Sequence, residues 1–570
     1  MEKMVCYVFK QLRCVVLLLL LCVVSLGRTF GNGNMPEAGA MVRNPMLWSD
    51  VPDPDVIRVG DSFYMVSTTM HLMPGAPVMK SKDLKNWETV GYVFDRLTDS
   101  PRYNLEGGTV YGRGQWATSL KYHKGKFYAL FAPNEGGAMG WTYICTAERA
   151  EGPWVVHSRL PHFHDASLFF DDDDRVYVFY GTGELVELEG DLNGVVEGSH
   201  RRLFERDAEE RGLLEGSRVV KHDGRYYLLM VSHVFAPGHH RREVCYRADR
   251  LDGEWEKCVI LESEFGGFGY VGQGTIVDRM NGDWYGIIFQ DRGGVGRVLT
   301  VSPVRWVEGW PLIGDEEGRV PSLTPGQMDN GQRAMDGGGQ GIVCSDDFGS
   351  DRLGLHWQWN HNPVDGGWSL TDRPGWLRLK PCRVVENLYV APNTLTQRME
   401  GPMCNGCVLL DVSGMRDGDC AGLAAFNGDS GVLTIKKEDG QLRLEMSEQC
   451  VVLTEREKAV TKVDERVVEV VEFPSGEPSG TVTEPSGTVT RVWLRIDGDF
   501  RAGQGDAANF FYSLDGVKWS QVGTRNYRMV FDYRRFFMGT KFGIFCYATK
   551  GLGGYVDVDG FEYKRWTMDN

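Results

Sequence analysis

One sequence pattern returns five times in the first half of the chain. Each copy has a short apolar run, a tight turn, and an aromatic residue that opens a second apolar run. Repeats of about 50 residues made of short strands are typical of propellers and arrays. The sequence therefore predicts five blades around one axis. Counting back eleven or twelve residues from the repeated tyrosine gives the start of each copy, in the pairs Asp53 and Tyr64, Ala117 and Tyr128, Asp165 and Tyr177, Glu215 and Tyr227, and Gln273 and Tyr285.

The starts of the repeats are the candidate chemical groups. The innermost strands of a propeller begin at one end of the axis, so residues at these starts are predicted to converge there. Three of the five starts are acids, Asp53, Asp165 and Glu215. A single acid at such a position is more often a turn or cap residue. Three acids at the same position in three repeats favour a catalytic role.

Three converging acids can divide the work of glycoside hydrolysis. That reaction needs one carboxylate to take a proton from water and one carboxyl to protonate the leaving oxygen. Asp53 lies between two prolines and is expected to be rigid and partly solvated. Leu213 and Leu214 precede Glu215, and apolar surroundings favour the protonated form of a carboxyl. Asp165 is predicted to lie between the two.

The second half of the chain has a different pattern. Residues 319–341 are rich in proline, glycine and polar residues and are predicted to form a linker. From 342 to 570, short alternating strands are separated by turns at near-regular spacing, which predicts a β-sandwich. The chain is therefore predicted to be all-β, with the propeller in 28–318.

Residues 1–27 are predicted to be a secretory signal peptide. Positive charges, the last at Arg13, precede an apolar run from Val15 to Val24 that is short for a membrane span. No other segment of the sequence is apolar enough to cross a bilayer. We expect an exported protein, periplasmic or extracellular. Cys22 leaves a lipid-anchored form open, although its neighbours make a poor lipidation motif.

Charge and cysteine content narrow the function classes. The net charge of −16 and the lack of a basic stripe argue against nucleic acid as a partner. Ten cysteines lie beyond the leader without a dense framework. Most are expected to be buried apolar residues, with one or two disulfides left open.

Several motifs taken together resemble glycoside hydrolase family 43. The resemblance implies a five-bladed propeller followed by a jelly-roll, concanavalin-like sandwich of the kind found in the family's β-xylosidases. It also implies an enzyme that acts on arabinose- and xylose-containing polysaccharides. The motifs are Pro52-Asp53-Pro54-Asp55, Ser81-Lys82-Asp83-Leu84-Lys85-Asn86-Trp87, His164-Asp165-Ala166-Ser167, Glu215-Gly216-Ser217, Gln290-Asp291-Arg292-Gly293, Asp346-Asp347-Phe348 and Phe511-Tyr512-Ser513-Leu514-Asp515-Gly516.

The resemblance also implies roles for single residues. Asp53 resembles the general base, Glu215 the general acid, and Asp165 the acid that orients and tunes it. Family members invert the anomeric carbon, so the two working carboxyls are expected roughly 6.5–9.5 Å apart. Arg297 lies where the family has a sugar-contacting arginine. In relatives the sandwich lends a loop that narrows the pocket, which implies exo action.

Further contacts are predicted with an alternative beside each. Trp116 is a candidate sugar platform or a core residue, and His71 a sugar contact or a surface loop residue. Gln273 is a candidate substrate contact at the start of the fifth repeat. Gly272 stands where many members have a histidine that helps to hold a water or ion near the axis.

No cofactor is expected for catalysis. A structural calcium in the sandwich is implied by relatives, with Asp347 and Asp559 as ligands, since oxygen ligands suit a hard cation. Solvated turn acids are the alternative reading of both aspartates.

These observations predict an exported inverting glycoside hydrolase that releases a terminal pentose. The expected partners are plant polymers such as arabinan, arabinoxylan and pectin side chains. An α-L-arabinofuranoside is favoured because the loop 70–75 lacks a tryptophan that the family's β-xylosidases often have, and a β-D-xyloside is the alternative. A catalytically inactive sugar-binding propeller stays open. A retaining fructosidase-type enzyme is disfavoured because its sequence motifs do not occur.

Overall fold

The computed structural model describes residues 41–134, 140–210, 212–325, 341–455, 459–473, 489–503 and 505–566. The predicted signal peptide and residues 326–340 of the predicted linker lie outside these ranges. The described chain is almost entirely β. Its 3-10 helices are Pro101–Asn104, Ala208–Glu210, Gly293–Val295 and Leu388–Val390. None of the helices in the described ranges has the length and apolarity needed to cross a membrane.

Five four-stranded antiparallel sheets form the blades, which confirms the predicted propeller. After β1 (Met41–Arg43), blade I contains β2 (Asp55–Val59), β3 (Ser62–Val66), β5 (Gly75–Ser81) and β6 (Glu88–Phe94), with β4 (Leu72–Met73) between its strands. Blade II contains β7 (Gly114–His123), β8 (Lys126–Asn134), β9 (Thr142–Ala147) and β10 (Val155–Leu160). Blade III contains β11 (Ser167–Phe170), β12 (Val176–Tyr180), β13 (Glu184–Leu188) and β14 (Arg201–Arg202).

The last two blades complete the ring. Blade IV contains β15 (Leu213–His222), β16 (Arg225–His233), β17 (Arg242–Ala248) and β18 (Glu256–Leu261). A ribbon of β19 (Glu264–Phe265) and β20 (Phe268–Tyr270) leads to blade V, which contains β21 (Gly274–Asp278), β22 (Trp284–Asp291), β23 (Arg297–Val307) and β24 (Trp310–Ile313). A short strand, β25 (Leu323–Pro325), follows inside the segment predicted as linker.

Apolar layers between neighbouring blades hold the ring closed. Alternate residues of each strand point to opposite faces, so every blade can present apolar side chains to both neighbours. Phe63 and Met79 of blade I pack with Ile287 and Val301 of blade V, and comparable layers separate the other neighbouring blades. The innermost strands β2, β7, β11, β15 and β21 adjoin in that order and return to β2. Their first residues therefore meet at one end of the axis.

The second domain is a sandwich of two sheets around one apolar core, as predicted. One sheet has the order β34 (Val460–Glu472), β33 (Gln441–Leu453), β32 (Asp429–Glu438), β31 (Asp419–Phe426), β39 (Lys541–Ala548), β29 (Leu395–Arg398), β26 (Gln358–Asn360) and β4. The other has the order β27 (Trp368–Ser369), β28 (Leu377–Leu379), β40 (Val556–Trp566), β30 (Met403–Asp411), β35 (Arg491–Asp499), β36 (Ala507–Ser513) and β37 (Ser520–Gln521), with β38 (Tyr527–Arg528) also paired to β36.

The propeller contributes an edge strand to the sandwich. Leu72 and Met73 of β4 pair with Asn360 and Trp359 of β26. The segment after blade I's second strand is thus fixed in a sheet of the other domain. This pairing holds the two domains together beside the end of the axis where the repeats start.

All ten cysteines within the described ranges are unpaired. The disulfides that the sequence left open therefore do not form among these residues. Five of the ten are buried and the other five are partly buried, so half of them, and not most, are fully buried small apolar side chains.

Candidate active site

A cavity of about 850 Å³ opens where the innermost strands begin. Side chains of the propeller and of the sandwich line it. The structure therefore brings together six of the residues selected from the sequence. They are Asp53, Trp116, Asp165, Glu215, Gln273 and Arg297.

Asp53 lies just before β2, at the deep side of the cavity. Its backbone is left-handed, with φ 54°, a conformation that aspartate tolerates better than most residues. Thr68 Oγ1 donates a hydrogen bond to Asp53 Oδ2 at 2.6 Å, and Arg297 Nη1 lies 3.1 Å from Oδ1. Burial raises the pKa of Asp53, the Arg297 guanidinium opposes that rise, and the nearby Asp165 carboxylate adds to it. The carboxyl is thus held in one orientation by a cation and a hydroxyl.

Asp165 and Glu215 share a histidine, His164. Its Nε2 lies 3.3 Å from Glu215 Oε2 and its Nδ1 lies 4.0 Å from Asp165 Oδ1. The Asp165 carboxylate, with a further contribution from Glu215, raises the pKa of His164 to about 9. Burial raises the pKa of Asp165, and the imidazolium opposes that rise. At neutral pH, His164 is therefore a cation between two acids.

A β-bulge turns Glu215 toward the cavity. The pairing of β15 with β16 shifts register between Glu215 and Arg218, and Gly216 in the bulge has φ 77°. A Cβ at position 216 would lie 2.7 Å from the Gln273 amide carbon, so only glycine fits there. Such bulges re-aim side chains at the ends of strands.

Arg218, in the same bulge, fixes the strand starts around the axis. Its buried guanidinium donates to the main-chain oxygens of Asp53 at 3.0 Å and Thr118 at 3.3 Å. Its Nε lies 3.7 Å from Asp55 Oδ1. One cation thus ties blades I, II and IV together below the cavity. This residue was not predicted from the sequence, although it directly follows the Glu215-Gly216-Ser217 motif on β15.

Gln273 lines the cavity. Its main-chain N–H donates to Glu243 Oε2 at 2.8 Å, which supports a left-handed backbone with φ 75°. Burial raises the pKa of Glu243 to about 8. Among the described residues Gln273 Nε2 has no hydrogen-bond partner, and it is buried against the cavity. Because that nitrogen is shielded from solvent, it is an unsatisfied buried donor and not an exposed contact for a ligand.

The sandwich supplies one wall of the cavity. Phe531, Tyr533 and Phe537 line it, and the Arg297 guanidinium lies 4.0 Å from the centre of the Phe537 ring. The Trp116 ring lies 6.1 Å from Phe537, so Trp116 borders the cavity beside this wall.

A buried aspartate, Asp50, connects this wall to the floor of the cavity. Asp50 Oδ2 accepts from Lys541 Nζ at 2.7 Å and from the main-chain N–H of Gly539 at 2.9 Å. Its Oδ1 accepts from the main-chain N–H of Arg297 at 3.0 Å. A sandwich loop was predicted here, but none of these residues was predicted with it, because they lie far apart along the chain.

His71 is a correction to the prediction. It was predicted to be either a sugar contact or a surface loop residue, but it is fully buried between the domains and does not line the cavity. Its ring packs 4.8 Å from Tyr111 and 4.9 Å from His361. The loop interpretation was also wrong, because the next residues form β4 in the sandwich sheet.

The described residues contain one set of three side chains spaced to hold a cation. Ligand atoms of His164, Asp165 and Glu215 all lie within 4.8 Å of one another. Asp347 and Asp559 are both exposed and belong to no such set among the described residues. The bridge between Asp346 and Phe561 brings their segments together, and calcium binding there stays a prediction.

Comparison with known proteins gives two family matches. The profile of glycosyl hydrolases family 43 matches residues 42–311, and that of the β-xylosidase C-terminal concanavalin A-like domain matches residues 345–564. A β-xylosidase of Formosa agariphila is 28% identical over 91% of this chain and 90% of its own length.

Two solved structures are similar over most of the chain. A bifunctional GH43-CE protein of Bacteroides eggerthii is 37% identical, with a TM-score of 0.80 over 93% of this chain and 64% of its own. This chain thus spans under two thirds of that protein. The second structure is a GH43 glycoside hydrolase engineered to display both endo-xylanase and exo-arabinofuranosidase activity. It is 30% identical, with a TM-score of 0.80 over 92% of this chain and 99% of its own.

Proposed function

The chain belongs to glycoside hydrolase family 43, and from this premise we propose that it releases a terminal pentose from plant polysaccharide with inversion at the anomeric carbon. The observation that carries the proposal is the convergence of Asp53, Asp165 and Glu215 on one cavity. These acids come from three blades and lie at corresponding strand starts.

The proposed mechanism uses two carboxyls. Asp53 takes a proton from a water molecule, whose oxygen attacks the anomeric carbon. Glu215 gives its proton to the glycosidic oxygen as the bond to that carbon breaks. Asp165 and His164 orient Glu215, since Nε2 of His164 lies 3.3 Å from Glu215 and its Nδ1 lies 4.0 Å from Asp165. Arg297 and Thr68 orient Asp53.

The preferred sugar is proposed to be α-L-arabinofuranose, with β-D-xylose as the second candidate. The exo-arabinofuranosidase activity of the engineered relative supports the first. The name of the Formosa agariphila relative supports the second. Both rings are pentoses. The aromatic wall that the sandwich adds to one side of the cavity supports binding of a terminal ring there.

A panel of nitrophenyl glycosides tests the sugar preference. We expect release from the α-L-arabinofuranoside, then from the β-D-xyloside, and none from hexosides. Proton NMR of the first product should show the anomer opposite to that of the substrate. Retention would contradict the assignment of Asp53 as a base. Steady release of internal oligomers from linear xylan or decorated arabinan would contradict exo action.

We also propose export of the protein. The positive charges ahead of the apolar run from Val15 to Val24 support it. Fractionation of cells expressing the full chain tests it, and a product that stays in the cytoplasm at full length would contradict it.

A further inference from the structure

One aromatic side chain at the mouth of the cavity lacks a structural reason to be there. Phe235 lines the cavity, yet 71% of its surface is exposed. Its one close ring neighbour is His233, at 4.4 Å between ring centres, among the described residues. A single exposed apolar side chain is ordinary on an open surface, but this ring lines a concave cavity, and ligand cavities are typically lined by aromatic side chains.

The segment that carries Phe235 is anchored at its far end. It runs from His233, at the end of β16, to Arg242, at the start of β17. Arg241 Nη1 lies 2.7 Å from Asp291 Oδ2 of blade V. A Cβ at position 272 would lie 2.7 Å from Arg241 Cγ, so Gly272 makes room for this arginine.

A ring stack adds a second anchor. The ring of His240 stacks on that of Tyr270, with centres 4.0 Å apart and planes at 17°. Ordering of a binding segment before the ligand arrives lowers the entropy lost on binding. Both anchors lie at the far end of the segment, five and six residues after Phe235, and β16 ends two residues before it.

The position of Phe235 relative to the acids indicates which part of a substrate it meets. Glu215 pairs with Val231 across β15 and β16, and the segment begins after His233 on that same β16. The side chain of Glu215 is 31% exposed, whereas those of Asp53 and Asp165 are 10% and 8% exposed. The terminal ring fits on the deep side near Asp53. The leaving oxygen then faces Glu215, and the ring that carries it extends toward the rim.

We propose that Phe235 is the platform for the sugar ring on the leaving-group side of the scissile bond. This inference rests on the proposed function, because it uses Glu215 as the proton donor. Across the cavity mouth, Tyr533 of the sandwich is 62% exposed and lines the same space. The ligand class is an oligosaccharide with a terminal pentose, held at its second ring by an aromatic face.

The test compares two substrates that need the same proton transfer. One is a pentosyl oligosaccharide, and the other is the methyl glycoside of the same pentose, which has no second ring. For Phe235→Ala, kcat/KM should fall about tenfold on the oligosaccharide, the typical loss for a contact residue at a binding site. It should change less than about twofold on the methyl glycoside, because no contact is lost there.

Two further variants complete the design. Phe235→Trp keeps an aromatic face and should retain activity on the oligosaccharide. Tyr122→Ala removes another exposed ring, on blade II and outside the cavity, and should leave kcat/KM unchanged on both substrates. Equal losses on both substrates, or no loss for Phe235→Ala, would overturn the platform. Failure of the unmodified protein to cleave either substrate would instead overturn the proposed function.

Discussion

Two histidines near the domain boundary have opposite electrostatic surroundings. His164 lies between the carboxyls of Asp165 and Glu215, which raise its pKa to about 9. His71 is buried among the rings of Tyr111, His361 and Phe536, and burial lowers its pKa to about 3. The same side chain is thus a cation beside the cavity and a neutral ring in the interface between the domains.

The difference shows how burial acts with and without a charged partner. Desolvation disfavours an imidazolium in both places, but two acids outweigh it beside the cavity. His71 has no acidic partner among these rings, so no carboxylate offsets the cost of burying its charged form. A buried histidine therefore carries a charge that chemistry can use only where acids lie beside it.

Removal of the acid that faces His164 should give the largest effect. Glu215→Gln keeps the size of the side chain but cannot give a proton to the leaving oxygen. We expect kcat/KM for pentose release to fall by about 10²–10⁴, the usual contribution of a general acid. Glu205→Gln, at an exposed glutamate outside the cavity, is the control and should be unaffected. Unchanged turnover in Glu215→Gln would show that the proton comes from another group.

The second largest effect is expected at the buried ion pair of Asp50 and Lys541, which lies between the cavity and the sandwich. Burial alone would raise the pKa of Asp50, but Lys541 and the hydrogen bonds around the carboxylate hold that pKa below its ordinary value. Lys541→Met leaves a buried carboxylate without its cation. We expect a loss of about 3–5 kcal/mol in the free energy of unfolding, measured in urea.

An exposed pair provides the control for that measurement. Lys550 and Glu438 are about half exposed, so Lys550→Met should cost no more than about 1 kcal/mol. If both lysine variants lose equally little stability, Asp50 is not holding the sandwich against the cavity floor. The activity of Lys541→Met should fall as well, because Asp50 also accepts from the main chain of Arg297.

The third prediction tests the charge on His164. His164→Asn removes the cation that opposes the raised pKa of Asp165. The acidic limb of the profile of kcat/KM against pH should therefore move to higher pH, with a loss of about tenfold at pH 6 for one missing charge contact. In the unmodified protein, kcat/KM should decline above pH 9, where His164 loses its proton.

A neighbouring histidine makes the matched control. His162 lies two residues away, and burial, with the charge of His164, lowers its pKa. His162→Asn should leave the acidic limb in place. If the acidic limb of kcat/KM shifts equally in His164→Asn and His162→Asn, a change in the conformation of residues 162–165, and not the loss of the His164 charge, causes the shift.

The positions of the three acids at the cavity could be predicted from sequence because their signal is local. The distance from a strand start to the tyrosine after the turn is set by one hairpin, so Asp53, Asp165 and Glu215 could be found by counting. Arg218 was missed because its partners are main-chain oxygens of other blades. No local pattern reports such contacts.

The errors and omissions in the second region have a common cause. His71 was read as part of an exposed loop, but the loop enters a sheet built by residues far along the chain. Phe531, Tyr533 and Phe537 reach the cavity from the other domain for the same reason. Sequence periodicity fixes which face of a strand is apolar, and it carries no information about which distant strand will be its neighbour.

The smallest expected effect is a slope of stability against pH. The pKa of His71 is about 3 in the folded protein, against 6.5 for the free side chain. The unfolded chain therefore binds a proton that the folded chain does not, and stability falls as pH decreases from about 6.5 toward 3. The slope from this one group approaches about 1.4 kcal/mol per pH unit. His71→Phe, which keeps a ring in the cluster, should reduce the slope of the urea unfolding free energy by that amount between pH 6 and pH 4. His200→Phe, at an exposed histidine, should leave it unchanged.

His164 acts in the opposite sense, since its raised pKa stabilises the fold below about 6.5 and that contribution is lost as pH rises through 9. Identical slopes for the unmodified protein and His71→Phe would mean that His71 takes up its proton in the folded state, and the contrast between the two histidines would disappear.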